Sequence, residues 1–238
     1  MRTISTGTAA SRTRMCIGTT RCAIATRITR ISTTGTSTDP VNSPLLNFLG
    51  DDVADLKILG ISGSLRKGSY NTAILRASAE LMPAGMKLER IARIDDIPLF
   101  NQDVFDAGMP EPAKRFRAEV AAADGLLIAS PEYNFSVSGA LKNAIDWGSR
   151  EPNQVFQDKP VAMFSATGGP LGGARVQYDL RRILGQLWAH VLPRPEVFIG
   201  SAPGKFDAQG KITDEATRKF LTDLLAGFGP WITRMQKK

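Results

Sequence analysis

From residue 56 onward, short apolar runs alternate with longer stretches whose apolar positions recur at helical spacing. Leu56-Lys57-Ile58-Leu59-Gly60-Ile61-Ser62 is a short apolar run leading into glycine, serine and basic residues, the pattern of a buried parallel strand. Alanines and leucines then predict a helix over residues 71–82, stopped by Pro83. A second strand is expected over 86–91, and a helix over 112–122 with Pro112 near its first turn. Gly125-Leu126-Leu127-Ile128-Ala129-Ser130 is the clearest strand, ended by Pro131. A helix over 138–147 with Ser138 as N-cap, a strand over 161–165 and an arginine-bearing helix over 173–187 follow. A short last strand over 196–199 precedes a final helix over 214–235, which Gly227 to Pro230 are expected to break. Strands alternating with helices predict an α/β fold, a doubly wound five-stranded parallel sheet with helices on both faces. Ligands bind such sheets beyond the carboxyl ends of the strands, at the point where strand order reverses. The loops after the first and third strands should therefore carry the chemistry.

Residues 1–55 depart from this pattern. They are rich in Ser, Thr and Arg, poor in acids, and show no sustained apolar face, so disorder is expected. The segment is open to reading as an organellar transit peptide, as a plain extension, or as residues preceding a true start further in; it lacks the apolar core of a secretory signal. The division is thus a 1–55 extension and a 56–238 domain. The tail also explains the net charge of +7: Arg2, Arg12, Arg14, Arg21, Arg27 and Arg30 all precede Asp39, with no acid among them. From Asp39 onward 24 basic residues face 23 acidic ones, which offers no phosphate-tracking surface, so nucleic acid is not an expected partner. No run approaches the roughly 18 apolar residues that would span a bilayer, so no membrane partner is expected and the cytoplasm is the expected location. Both cysteines, Cys16 and Cys22, lie in the tail, which leaves the domain without a disulfide framework, a thiolate metal site or a cysteine nucleophile. The one histidine, His190, reads as a packed or surface side chain; no metal site and no catalytic side chain are assigned.

Three loops follow the strands. Gly63-Ser64-Leu65-Arg66-Lys67-Gly68-Ser69-Tyr70-Asn71 opens a helix; its small residues expose backbone amides, its hydroxyls can donate and Arg66 supplies charge, which together make a phosphate cradle. It lacks the Gly-Lys-Ser/Thr ending of a P-loop and the spacing of a dinucleotide fingerprint, and Glu89 is discounted as a ribose-binding acid. Pro131-Glu132-Tyr133-Asn134-Phe135-Ser136 is a stiff aromatic loop suited to a flat ring. Ala166-Thr167-Gly168-Gly169-Pro170-Leu171-Gly172-Gly173 lets the backbone approach a ligand and its amides face developing negative charge.

At these loops the sequence resembles the NADPH-dependent FMN reductase family, in its chromate and quinone reductase branch. The resemblance is carried by GSLRKGSYN at 63–71, SPEYNFSVSGALKNAIDW at 130–147 and GGARVQYDLR at 172–181, and extends from about Leu56 to the C-terminus. It implies a flavodoxin-like fold, one FMN, and NADPH or NADH as donor. Ser64, Arg66, Ser69, Tyr70 and Asn71 would hold the FMN phosphate; Pro131, Glu132, Tyr133 and Asn134 would line the isoalloxazine; Thr167, Gly168 and Gly169 would approach its pyrimidine side. It also implies a homodimer or homotetramer, with Arg175 and Tyr178 as candidate contacts. The expected reaction is a ping-pong transfer from the nicotinamide, through the flavin, to a quinone, with chromate or another metal oxyanion as a further acceptor. The competing expectation is a flavodoxin-type electron carrier or an FMN-binding regulator; carriers of that kind are strongly acidic, and this domain is near neutral.

Overall fold

A computed structural model of the chain describes residues 55–207 and 209–237. The expected extension, with Cys16, Cys22 and the six arginines, lies outside the described residues.

The main sheet is built from β1 (Leu56–Ser62), β2 (Met86–Ile91), β3 (Gly125–Ser130), β6 (Pro160–Ala166), β7 (His190–Val191) and β8 (Val197–Ile199). Its order is β2-β1-β3-β6, after which β7 and β8 both pair with β6, and every pairing is parallel. β7 pairs with the amino end of β6 at Pro160 and Val161, β8 with its carboxyl end from Phe164 to Ala166. Five positions in the sheet therefore hold six strands, the outermost position being shared by two fragments. A separate two-stranded hairpin, β4 (Glu132–Tyr133) and β5 (Ser136–Val137), rises after β3.

Burial explains the pattern of residues. β3 and β6 are buried along their whole length, and their sequences are almost continuously apolar. β2, at the edge, is mixed. Helices α2 (Gln102–Ala107), α3 (Glu111–Ala122), α4 (Gly139–Gly148) and α5 (Ala174–Gln186) fall in the half of the core that holds Phe116, Trp147, Phe156 and Leu180. α1 (Tyr70–Leu81) and α6 (Glu215–Gln236) belong to the other half, with Ile74, Leu75, Leu221, Phe228 and Ile232. A short 3₁₀ turn spans Ala202–Lys205.

Strand β7 makes a sixth strand where five were expected, and two helices also depart from expectation. α6 runs unbroken through Gly227 to Pro230. Phe228 and Ile232 pack so close to the start of β3 that a Cβ on Gly125 would lie 2.8 Å from each, and this packing holds the helix on course. Pro230 and Ala226, whose carbonyl loses its i+4 donor, are both exposed, so the unpaired carbonyl is not buried. α2 was not anticipated. It has no fully buried residue: half-buried Phe105 packs beside Trp147, and its ends are capped, Asn101 accepting from the Asp103 amide at 2.8 Å and Gly108 terminating it.

The reversal of strand order lies between β1 and β3, whose ends are in register with that of β6: Ser62 faces Ala129, and Ser130 faces Ser165. The three loops therefore leave the sheet side by side. Gly63 donates to the Ala129 carbonyl at 2.8 Å and accepts from the Ser138 hydroxyl at 2.6 Å. A Cβ there would lie 3.0 Å from Pro131, so this glycine lets the first two loops touch.

Candidate functional site

The first loop ends in Ser69, the N-cap of α1, whose hydroxyl accepts from the Thr72 amide at 3.2 Å. The Ser64 amide donates to Ser62 Oγ at 3.3 Å and that of Ser69 to the Arg66 carbonyl at 3.2 Å. The amides between them, and the first two of α1, find no acceptor among the described residues. They coincide with the positive end of the helix dipole. The Arg66 guanidinium is exposed, 5.8 Å from the centroid of the Tyr70 ring, and has no carboxylate within ion-pair distance among the described residues. Tyr70 in turn stacks on Phe206 with centroids 5.2 Å apart.

Asn71 is buried, and both ends of its side-chain amide are bonded. Its Nδ2 donates to the Ala166 carbonyl at 2.9 Å and its Oδ1 accepts from the Ala166 amide at 3.0 Å. β3 stops pairing with β6 at Ser130, because Pro131 has no N–H, and Asn71 supplies the ladder bonds that β3 no longer makes. It ties the root of the third loop to α1.

The second loop is a hairpin rather than an irregular loop. Glu132 pairs with Val137 and Tyr133 with Ser136, leaving Asn134 and Phe135 as a two-residue turn with φ of 49° and 68°, both left-handed as a type I′ turn requires. Phe135 accepts this conformation while the Arg175 guanidinium lies 4.0 Å from its ring centroid. The hairpin is anchored to α5. The N-cap position of that helix, Gly173, has no side chain to cap it, and Glu132 does so from a distance. Glu132 Oε2 accepts from the amides of Arg175 (3.0 Å) and Val176 (3.3 Å), while Oε1 meets the Arg175 guanidinium at 3.0 Å. Ser136 adds a 2.6 Å bond to Asp179.

The third loop divides into an open and a closed half. A Cβ on Gly168 or Gly169 would meet nothing within 4 Å. Gly172 and Gly173 have φ of 62° and 84°, and a Cβ on either would strike the Phe198 backbone at 2.6 Å or the Ser165 side chain at 2.7 Å. Ser165 Oγ donates to the Gly172 carbonyl at 2.6 Å and accepts from Gln177 Nε2 at 2.8 Å, fixing the closed half.

Ten of the residues singled out from the sequence line one cleft of about 160 Å³ at this edge: Ser64, Arg66, Ser69, Tyr70, Asn71, Pro131, Glu132, Tyr133, Thr167 and Gly168. Asn134 and Gly169 stand on the same loops outside its lining. His190 lies at the other end of the sheet, beside the amino end of β6, with Nε2 3.1 Å from Asp158. Glu89 sits on edge strand β2, away from the cleft. Among the described residues no cluster of His, Cys, Asp and Glu could hold a metal ion.

The family model described as NADPH-dependent FMN reductase matches residues 56–204, which hold all three loops. The chain belongs to that family. Its cofactor is FMN and its co-substrate NAD(P)H. The chain is 50% identical over 182 residues to an NAD(P)H-dependent FMN reductase of Pseudomonas aeruginosa, covering 76% of this chain and 98% of that one. It is 42% identical to a quinone reductase of Escherichia coli K12, covering 76% of this chain and 97% of the relative. A solved flavoenzyme, an NAD(P)H:(acceptor) oxidoreductase from Paracoccus denitrificans, superposes with a TM-score of 0.69 at 32% identity, covering 76% of this chain and 98% of that one. The flavodoxin-like architecture expected from the sequence is the one observed.

The donor set fits FMN. Amides at the start of α1 and an Arg66 that have no partner among the described residues, with the Ser64 and Ser69 hydroxyls, match a phosphate dianion. The bare backbone at Gly168 and Gly169 leaves room for a flat ring to approach. The hairpin's Glu132 carboxylate is directed to α5, so this residue fixes the wall of the cleft. What sequence reasoning missed is this bracing: the Glu132 cap and the Asn71 bridge are long-range bonds with no local sequence signal.

Proposed function

We propose that this chain is an FMN-dependent NAD(P)H oxidoreductase of the cytoplasm that reduces quinones, and also chromate or related metal oxyanions, in a ping-pong cycle. The observation that carries the reading is the convergence of an anion cradle and an open glycine backbone on one cleft, in a chain of this family. When bound, FMN takes two electrons from NAD(P)H and passes them to the acceptor. Arg66, Ser64, Ser69 and the amides opening α1 bind its phosphate. Pro131 and Tyr133 form one wall, and Gly168 and Gly169 would offer their backbone amides to the ring, the Thr167 amide being held by the Ile199 carbonyl at 3.0 Å. Donor and acceptor use the same open mouth in turn, which suits acceptors of unlike shape. The names of the relatives, quinone reductases among them, support the choice of acceptor.

We also propose that the chain works as a homodimer or homotetramer. Tyr133, Phe135, Leu171 and Tyr178 are large apolar side chains left exposed on the loops and helix around the mouth, a patch that a second copy would cover.

The experiment is an anaerobic absorbance spectrum of the protein reconstituted with FMN, before and after NADPH. A flavin spectrum that bleaches and then recovers on adding a quinone is the expected result. Bound FMN that stays oxidised with both NADPH and NADH would point to an electron carrier instead, and absence of flavin binding would overturn the reading.

A further inference from the structure

Beside the cradle, on the α1 and α6 side of the sheet, lies a second and larger cleft of about 500 Å³. Four cations line it from four parts of the chain: Lys67 from the first loop, Arg76 from α1, Lys211 from the segment leading into α6, and Arg218 from the first turn of α6. None of the four has a carboxylate within ion-pair distance among the described residues, although their chain neighbours do. Lys205 lies 3.7 Å from Asp214, and Lys219 lies 2.6 Å from Asp223. Two carboxylates also line the cleft. Asp207 is occupied locally: its Oδ1 accepts from the amides of Gln209 (3.0 Å) and Lys211 (2.8 Å), which fixes the backbone that presents Lys211. Glu80 lies on α1 one turn beyond Arg76. Four cations against two carboxylates leave the cleft positive, and it is backed by the stacked Tyr70–Phe206 pair and by Ile212.

We propose that this cleft is a second phosphate-recognition site, taking the phosphate monoester of a nucleotide while the sugar and base lie against the Tyr70–Phe206 wall. Cations that line one cleft without ion-pair partners among the described residues favour the binding of an anion. A dianionic phosphate with several acceptor oxygens answers two or three of them at once. The site is not the FMN cradle. Arg66, Ser64 and the second and third loops do not line it, and the two share only the Ser69–Tyr70 corner. Two sources present this chemistry: the 2′-phosphate of NADPH, held while its nicotinamide end lies at the flavin, and a free phosphorylated nucleotide. The first source rests on the reductase reading above; the site itself does not.

The test is calorimetric titration of the full-length, FMN-loaded protein with 2′,5′-ADP, followed by the same titration of Arg76→Ala/Arg218→Ala and of Lys211→Ala. Flavin fluorescence monitors retention of FMN. One molecule per chain is expected to bind, at least about tenfold more weakly to the double variant, with FMN affinity unchanged. Arg66→Ala, titrated without FMN, is expected to keep its affinity for 2′,5′-ADP, so failure of the cradle and failure of this site are distinguishable. A KM for NADPH that rises in the double variant while that for NADH stays fixed identifies NADPH as the source. Both constants unmoved, with 2′,5′-ADP binding still weakened, identify a free nucleotide. Affinity for 2′,5′-ADP that is absent, that is the same in all variants, or that disappears with Arg66, overturns the proposal.

Discussion

Arg66 and Asn71 stand five residues apart on one loop and do opposite work. Arg66 is exposed and points its charge at no carboxylate among the described residues, so its contribution is to the ligand. Arg66→Ala should weaken FMN binding by about 1.5–3 kcal/mol, the range of a charge-assisted bond, with little effect on the stability of the apoprotein. Fluorescence titration with FMN reads the first quantity and urea unfolding the second. Asn71 is buried, and its contribution is to the frame. Asn71→Ala strands the amide and carbonyl of Ala166 inside the protein, and unfolding of the apoprotein should show a loss of about 2–4 kcal/mol. From the sequence both looked like phosphate ligands; Asn71 leaves its backbone amide toward the cradle while its side chain braces the chain, a division that a residue's place in a motif does not reveal. Local chemistry made the cradle legible; the bond from Asn71 to a residue 95 positions away was not.

The elements were legible where their signals were local. β1, β3, β6 and the long helices follow from apolar runs, periodicity and caps, with boundaries shifted by a residue or so. Apart from α2, which is capped locally, those that escaped owe their existence to distant partners. The β4–β5 hairpin is pinned to α5 by Glu132 and Ser136. The segment after α4 is held by Arg117, which donates to the carbonyls of Trp147, Gly148, Arg150, Pro152 and Asn153. Burial lowers the pKa of that guanidinium, and the five acceptors compensate for the water it has lost. α6 gives a prediction in pH. Asp214, its N-cap, accepts from the Thr217 amide at 2.8 Å; hydrogen bonding from Thr217, then the charge of Lys205 at 3.7 Å, hold its carboxyl below the ordinary value. A carboxyl whose pKa is lower in the folded state stabilises the fold above its unfolded value and loses that contribution as pH falls through the folded one. The melting temperature should therefore fall as pH drops below about 4, and Asp214→Asn, which keeps an acceptor but no charge, should lose less over the same range. Melts followed by circular dichroism at roughly pH 3–6 decide it.

At the scale of the molecule, we propose that residues 56–238 form the FMN-binding reductase domain without help from the residues before them. The family match begins at residue 56 and the three loops lie well inside the described region. A chain starting at Asp55 should bind FMN within about twofold of the full-length affinity, and a loss of more than about tenfold would make the preceding residues part of the site. The same scale shows what the broken outer position of the sheet does. β7 and β8 offer only two and three residues each, and the chain between them carries Pro193 and Pro195. At the opposite edge β2 exposes Lys87, Glu89 and Arg90. Neither border gives an incoming strand a long, uncharged row of free amides and carbonyls to zip onto, so the sheet resists growing from molecule to molecule.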